Sequence, residues 1–162
     1  MSVVVADTGP LNYLILIGEI DLLPALFDSV IVPPSVIAEL RHPHAPDPVA
    51  QWVRSLPEWI HLRAPESVLE IALGAGERDA ISVARELGVH AILLDDRKAR
   101  LEALRHEIRV IGTLAILELA DEAGLLDFSH TIRRLLETSF HVEAPLVEAI
   151  QARIEQRKQS GP

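Results

Sequence analysis

Residues 2–7 read SVVVAD, a short β-branched run that ends on a carboxylate. Residues 90–96 read HAILLDD, a second apolar run that ends on two more acids. Both runs are too short for helices and have the residue types of buried strands. In a parallel α/β sheet, functional groups gather beyond the carboxyl ends of the strands. If these two strands are neighbours, three carboxylates, those of Asp7, Asp95 and Asp96, converge at one edge of the sheet.

Strands and helices alternate along most of the chain. Three further strands are predicted in SVIVP (29–33), WIHLR (59–63) and IRVIG (108–112). The clearest helix is GAGERDAISVARELG (74–88), with glycine at both ends, and two helices in residues 130–139 and 144–159 close the chain. This alternation predicts an α/β fold with three α/β/α layers and a five-stranded parallel sheet.

The composition indicates an aliphatic globular protein. With 162 residues and only 4% aromatics, one domain over residues 1–162 is expected, with a core in residues 1–126 and C-terminal helices in residues 127–158. The absence of cysteine excludes disulfides, thiol nucleophiles and cysteine-ligated zinc, and favours the cytoplasm. No run approaches the ~20 apolar residues that span a bilayer, so no membrane association is predicted.

The net charge of −9 argues against broad nucleic-acid binding, which relies on Lys and Arg to neutralise phosphates. This objection weakens if the acids hold a metal ion, because a bound cation presents positive charge to a phosphate.

Further acids lie on the predicted helices. Glu39 lies about 60° from the edge of the apolar stripe of its helix, and Asp79 flanks the stripe of the 74–88 helix, where Glu77 occupies the first turn. Like charges about 4 Å apart repel by roughly 4 kcal/mol at an effective dielectric near 20. A pocket of five or six carboxylates therefore needs a compensating charge. Hard divalent cations, Mg²⁺ or Mn²⁺, suit oxygen ligands in a chain without cysteine.

Each acid also has an ordinary structural interpretation. Asp7 before Thr-Gly is typical of a turn, and Glu39 of a solvated helix face. Acids at 77 and 79 favour a helix N-terminus through the dipole, and Asp95-Asp96 suits a helix cap. The joint placement of all these acids at strand ends favours the metal site.

Five motifs in register resemble those of PIN-domain ribonucleases: VVADTGPL, VPPSVIAEL, GERDAISVARELG, ILLDDRKAR and RVIGTLAIL. The resemblance runs from Val3 to about Leu126 and is strongest to the VapC-type toxin branch of toxin–antitoxin systems. It implies a Mg²⁺- or Mn²⁺-dependent endoribonuclease. By motif position, Asp7, Glu39, Asp79 and Asp96 match the four catalytic acids, and Glu77 and Asp95 are additional acids of the metal site.

The resemblance also implies supporting residues. Thr8 and Asn12 are placed to orient a water or a phosphate oxygen. Many relatives have Thr or Ser where this chain has Leu94, so a hydroxyl role there is absent or passes to Thr8 or Thr113. Arg97, Lys98 and Arg100 are candidates for contact with the RNA backbone, although basic residues in such a stretch more often form a solvated helix face.

The expected partners are an RNA substrate, a cognate antitoxin protein and a second copy of the chain. The homodimer is suggested by an apolar stripe of Leu146, Ile150 and Ile154, which alternatively packs within its own domain. Two other functions stay open. A receiver-like Mg²⁺-binding signalling module would have a Lys after its last strand, where this chain has VIGT, and a PIN-fold binding protein would lack catalysis.

Overall fold

Residues 2–161, described by a computed structural model, form five strands and nine helices. The strands are β1 (Val3–Ala6), β2 (Ser29–Val32), β3 (Ile60–Leu62), β4 (Ala91–Leu93) and β5 (Val110–Ile111). The helices are α1 (Thr8–Leu16), α2 (Leu22–Leu26), α3 (Pro34–Leu40), α4 (Asp47–Arg54), α5 (Ala75–Leu87), α6 (Arg97–Arg105), α7 (Thr113–Glu122), α8 (Phe128–Leu136) and α9 (Ala144–Gln159). Every strand lies within a segment predicted from the sequence.

The strands form one parallel sheet in the order β3-β2-β1-β4-β5. Chain order runs outward from β1 through β2 to β3, and then resumes on the other side of β1 with β4. The switch point of the sheet therefore lies between β1 and β4, where Val5 pairs with Ile92 and Ala6 with Leu93. This topology confirms the predicted fold class and the neighbouring placement of the two strands that end on acids.

The central strands are buried on both faces. Val5 and Ile92 pack with Ala80, Ile81 and Ala99 in one hydrophobic cluster. The residues that alternate with them along β1 and β4, namely Val4, Ala6, Ala91 and Leu93, are also fully buried. Because successive strand residues point to opposite faces, both faces of the sheet are covered, as a three-layer arrangement requires.

Local signals set the ends of the helices near the strand ends. α3 begins with Pro34, whose fixed φ suits a first helical turn. α5 ends at Gly88, which adopts the left-handed conformation (φ 57°) that closes helices. α6 begins after Asp96, whose Oδ2 accepts a hydrogen bond of 3.0 Å from the backbone N–H of Ala99. The N-terminal ends of α3, α5 and α6 lie beside the sheet edge that carries the acids, whereas Gly88 lies at the opposite edge, just before β4.

The chain divides into two compact units after Thr113. The first contains the whole sheet and α1 to α6. The second contains the rest of α7 together with α8 and α9. The prediction of one domain, with a core in residues 1–126 and C-terminal helices in residues 127–158, stays a prediction.

Within the second unit, Asp121 is a buried carboxylate with several partners. It accepts a hydrogen bond from the backbone N–H of Phe128 at 2.8 Å and pairs with Arg157 at 2.6 Å. One turn earlier on α7, Glu118 receives two hydrogen bonds from Arg153 at 3.0 and 2.9 Å. These ion pairs join α7 to α9, and the Asp121 bond joins α7 to the start of α8.

The apolar stripe on α9 is only partly exposed. Ile150 and Ile154 are buried, whereas Leu146 is 49% exposed. Most of the stripe is therefore covered within this chain, and pairing of two chains stays a prediction without this surface as its main support. In the described part of the chain, no helix has the length and apolar composition needed to cross a bilayer.

Truncation of the buried β4 residue tests the packing at the switch point. Leu93→Ala should lower the free energy of unfolding by about 2–5 kcal/mol, because a fully buried leucine leaves a cavity. Leu101→Ala is the matched control, since Leu101 is 51% exposed on α6 and should change stability by less than about 0.5 kcal/mol. Urea denaturation of both variants measures the difference. Equal losses would contradict the core assignment.

Candidate functional site

Asp7 lies immediately after β1, at the switch point. Its backbone N–H donates to the carbonyl of Leu93 at 3.0 Å, which continues the β1–β4 pairing beyond the strand. The side chain is only 5% exposed. Asp7 occupies the N-cap position of α1 without making a side-chain capping bond, and its Oδ1 is buried with no hydrogen-bond partner among residues 2–161. A capping role therefore does not explain this carboxylate.

Glu39 reaches the same edge from α3. The Thr8 hydroxyl donates a hydrogen bond to Oε2 of Glu39, and the backbone N–H of Gly76 donates to Oε1 at 3.1 Å. A Cβ on Gly76 would lie 2.6 Å from Oε1 and 2.7 Å from Oε2, closer than side chains approach. The carboxylate of Glu39 thus rests against the backbone of α5, and any side chain at position 76 would force the end of Glu39 to move.

Glu77 and Asp79 lie differently on α5. At 100° per residue, Glu77 falls between Ile81 and Ala84, whereas Asp79 falls between Val83 and Ser82, so each acid has buried residues on both sides. Glu77 has a buried Oε2 that lacks a partner among the described residues. Asp79 instead accepts a hydrogen bond from Arg78 Nε at 3.1 Å.

The two acids after β4 point to different neighbours. Asp95 accepts two hydrogen bonds from Thr113, one from the backbone N–H at 2.8 Å and one from the hydroxyl at 2.6 Å. Asp96 caps α6 through Oδ2 and also lies close enough to Glu77 to form a hydrogen bond with it. The capping interpretation is therefore correct for Asp96, which has a site contact in addition. Both threonine hydroxyls considered in place of one at Leu94 contact acids.

Burial and mutual repulsion shift the carboxyl groups toward the protonated form. Burial raises the pKa of Asp7 to about 7; the backbone hydrogen bond from Thr8 opposes this shift, and the charges of Glu77, Glu39 and Asp95 add to it. Burial is likewise the main cause that raises the pKa of Glu77 to about 7. The charge of Asp96 and the hydrogen bond to Asp96 are smaller causes in the same direction. These effects show that five acids, Asp7, Glu39, Glu77, Asp95 and Asp96, interact at this edge.

Asp79 is absent from the charges that act on Asp7 and Glu77. Within the part of the chain that the structure describes, Glu77 rather than Asp79 projects from α5 into the cluster. Both residues were predicted as ligands, and only one is placed among the other acids.

Basic side chains border the cluster on α6. The positive charge of Lys98 acts on Glu77 and lowers its pKa, in opposition to burial. The positive charge of Arg100 likewise lowers the pKa of Asp95, in opposition to burial. Arg97, Lys98 and Arg100 are all exposed, so they combine access to solvent with nearness to the acids. Asn12 is half-buried on α1, one turn after Thr8 and on the same helix face.

Gly76 is a site residue that the sequence interpretation did not identify. The GAG segment at 74–76 lacks the Lys and Ser/Thr of phosphate-binding loops, so its composition does not indicate a ligand site. A usable signal was present nonetheless. Gly76 lies at the centre of the buried arc of α5, where a glycine without a turn to form indicates close approach by another group.

The donor set suits a hard cation in its chemistry. All five acids offer carboxylate oxygens, and two of those oxygens are buried without partners, an arrangement that calls for a bound group. As the side chains stand, no three His, Asp or Glu residues within residues 2–161 converge closely enough to hold an ion. The residues therefore fit Mg²⁺ or Mn²⁺ by ligand type, and their side chains must move closer together to bind it.

Comparison with known families places the chain. A family model described as a PIN domain matches residues 3–156. This chain belongs to the PIN-domain family. PIN domains are typically nucleases, and the acids described above gather at one edge of the sheet of such a domain. The predicted resemblance is confirmed at the level of the family.

A solved structure also resembles the chain. It is a PilT N-terminus domain protein, SSO1118, from the hyperthermophilic archaeon Sulfolobus solfataricus P2, with a TM-score of 0.49 and 13% sequence identity. The alignment covers 87% of this chain and 99% of that one. No match was found among curated proteins.

The raised pKa values predict how stability depends on pH without divalent metal. Between pH 4 and 7 the folded chain holds protons on Asp7 and Glu77 that the unfolded chain releases, since their ordinary pKa values are 3.8 and 4.5 and their folded values are about 7. The free energy of unfolding should therefore fall as pH rises through this window, by on the order of 2–4 kcal/mol. Urea denaturation in chelator at pH 4.5 to 8 measures it.

The control for this pH dependence is Asp7→Asn, which should flatten the slope because it removes one titrating group. A wild-type stability in chelator that rises across the window would contradict the burial of these charges.

The close approach at Gly76 predicts that even one methyl group is harmful there. Gly76→Ala should push the end of the Glu39 side chain away from the backbone N–H of residue 76. The lost bonds to a charged group cost about 1.5–3 kcal/mol, and alanine returns roughly 1 kcal/mol of helix propensity, so the free energy of unfolding should fall by roughly 0.5–2 kcal/mol. Gly74→Ala is the matched control, since its Cβ would meet nothing closer than 3.7 Å. Thermal and urea unfolding compare the pair. Equal stability of the two variants would contradict the contact.

Proposed function

We propose that this PIN domain is a metal-dependent endoribonuclease. One observation carries the proposal: the carboxylate of Asp7 is buried at the switch point with a partnerless oxygen, surrounded by other acids and bordered by basic side chains. A cluster of like charges around a buried carboxylate is unfavourable unless a cation or a proton compensates it. The proposed substrate is RNA, cut in a single-stranded or loop region where the backbone is accessible.

Four acids are proposed to hold Mg²⁺ or Mn²⁺: Asp7, Glu39, Glu77 and Asp96. A divalent cation supplies Lewis acidity, by which it activates a water molecule and offsets the charge that develops on a phosphodiester. The chain's own residues prepare the site. Thr8 and Gly76 orient Glu39 through its two oxygens. Asp7 is kept from bulk water, so its interaction with a cation is strong.

Lys98 and Arg100 are proposed to contact the RNA backbone, with Arg97 beside them. All three lie at the start of α6, directly after Asp96, on the exposed side of the cluster. Positive charges at this border offset part of the overall charge of −9 where a phosphate would approach. Asn12 and Thr8 remain candidates for orienting a water or a phosphate oxygen.

The toxin role is a further part of the proposal. It rests on the resemblance of the GERDA helix and the DDR strand end to the VapC-type branch, and it entails a cognate antitoxin protein and a homodimer. A receiver-like signalling module is not supported, because the chain belongs to the PIN family and Gly112-Thr113 follows β5 in place of a lysine. The acid cluster likewise favours catalysis over binding alone.

Substitution of Asp7 tests the proposed metal centre. Asp7→Asn keeps the shape of the side chain but removes its charge, so RNA cleavage in Mn²⁺ should fall at least about 100-fold. In chelator the variant should be as stable as the wild type or more stable, because repulsion is relieved. Cleavage of a labelled RNA and thermal unfolding in chelator provide the two measurements. Wild-type cleavage that persists in excess chelator would refute the metal dependence.

The two acids of α5 provide an internal comparison. Glu77→Gln should reduce cleavage as strongly as Asp7→Asn, whereas Asp79→Asn should reduce it less than about tenfold, because Asp79 pairs with Arg78 outside the cluster. The same RNA assay measures both. If Asp79→Asn is the more damaging variant, Asp79 belongs to the metal-binding set and Glu77 does not.

A further inference from the structure

Asp95 is held on both of its oxygens by one residue. Thr113 donates its backbone N–H to Oδ1 at 2.8 Å and its hydroxyl to Oδ2 at 2.6 Å. Thr113 directly follows the Gly112 turn after β5 and is fully buried. The contact therefore joins the end of β4 to the end of β5 at two points, a geometry that leaves the carboxylate little freedom to turn.

Two glycines enclose the same carboxylate. A Cβ on Gly9 would lie 3.4 Å from Oδ2 of Asp95, and a Cβ on Gly112 would lie 3.2 Å from Oδ1. The same Cβ position on Gly112 would also lie 3.6 Å from Nη1 of Arg100, whose positive charge acts on Asp95. Backbone from the start of α1 and from Gly112 after β5 thus lies against the oxygens, and the positive charge of Arg100 already offsets the charge of Asp95.

The other buried acids differ in this respect. Asp7 and Glu77 each keep a buried oxygen with no partner among the described residues. Asp95 has no such oxygen. A buried carboxylate with satisfied oxygens needs no bound cation, whereas one with a partnerless oxygen does.

We propose that Asp95 is a positioning residue, which locks the turn after β4 to Thr113 and so fixes the backbone that carries Asp96, and that it is not a metal ligand. The inference deepens the proposed function and rests on it for the role of Asp96. It divides two adjacent acids: Asp95 faces the β5 turn, and Asp96 faces Glu77 and the start of α6.

The first test measures, in chelator and without any metal, how much the contact between Asp95 and Thr113 stabilises the protein. Asp95→Ala and Thr113→Val should each lower Tm by roughly 3–8 °C, since Asp95→Ala removes both hydrogen bonds and Thr113→Val removes the one from the hydroxyl. The double variant should lose clearly less than the sum of the two, because both changes disrupt one contact. Thr113→Ser keeps the hydroxyl and should restore the coupling to Asp95. Strictly additive losses would overturn the lock.

The second test measures Mn²⁺ affinity by calorimetry or electron paramagnetic resonance. The asparagine side chain in Asp95→Asn can still form hydrogen bonds with Thr113, so this variant should weaken Mn²⁺ binding less than about tenfold. Asp7→Asn should weaken it at least about 100-fold. Thr113→Val should weaken binding by about tenfold or more, while Thr113→Ser stays within about threefold of the wild type.

The outcomes separate the two proposals. A loss in Asp95→Asn equal to that in Asp7→Asn would make Asp95 a ligand and overturn the inference. Unchanged Mn²⁺ affinity in Thr113→Val would show that the contact between Asp95 and Thr113 is purely structural, and it would overturn the inference as well. A wild type that binds no Mn²⁺ would refute the proposed metal centre, and the coupling in chelator would still decide whether Asp95 locks the turn.

Discussion

Burial of one carboxylate at the end of a central strand is the constraint on which the rest of the site depends. Asp7 lies where β1 and β4 meet, and the residues around it are apolar or acidic. Removal of a charge from water is costly, and nearby charges of the same sign increase that cost. The surrounding structure therefore has to tolerate a poorly solvated acid until a cation or a proton neutralises it.

The acids fall into two groups by the way the chain holds them. Glu39 and Asp95 each receive one threonine hydroxyl and one backbone N–H, so both of their oxygens are oriented. Asp7 and Glu77 each keep a buried oxygen without a partner. Oriented acids cost little to maintain, because their hydrogen bonds replace those lost to water. Unsatisfied acids are the strained part of the cluster and the part that a cation would stabilise most.

Much of this arrangement could be predicted from the sequence, and the limits have physical causes. Short β-branched runs that end on Asp7 and on Asp95-Asp96 were sufficient to predict the sheet edge, because parallel strands share one direction. The choice between Glu77 and Asp79 does not follow from the helical period, because each lies between buried residues of α5, and it depends instead on the side-chain contacts of the two acids. The contacts of Thr8, Gly76 and Thr113 depend on loops whose paths no periodicity encodes.

The site draws its acids from widely separated parts of the chain: the end of β1, α3, α5 and the turn after β4. Residues 7 and 96 are nearly ninety positions apart, so no short fragment contains the set. During synthesis the ribosome must release the chain through α6 before the cluster can assemble, and the contacts of Thr113 come later still. A nascent chain therefore lacks the assembled acid cluster for most of its translation, and only the nearly complete chain can bring these carboxylates together.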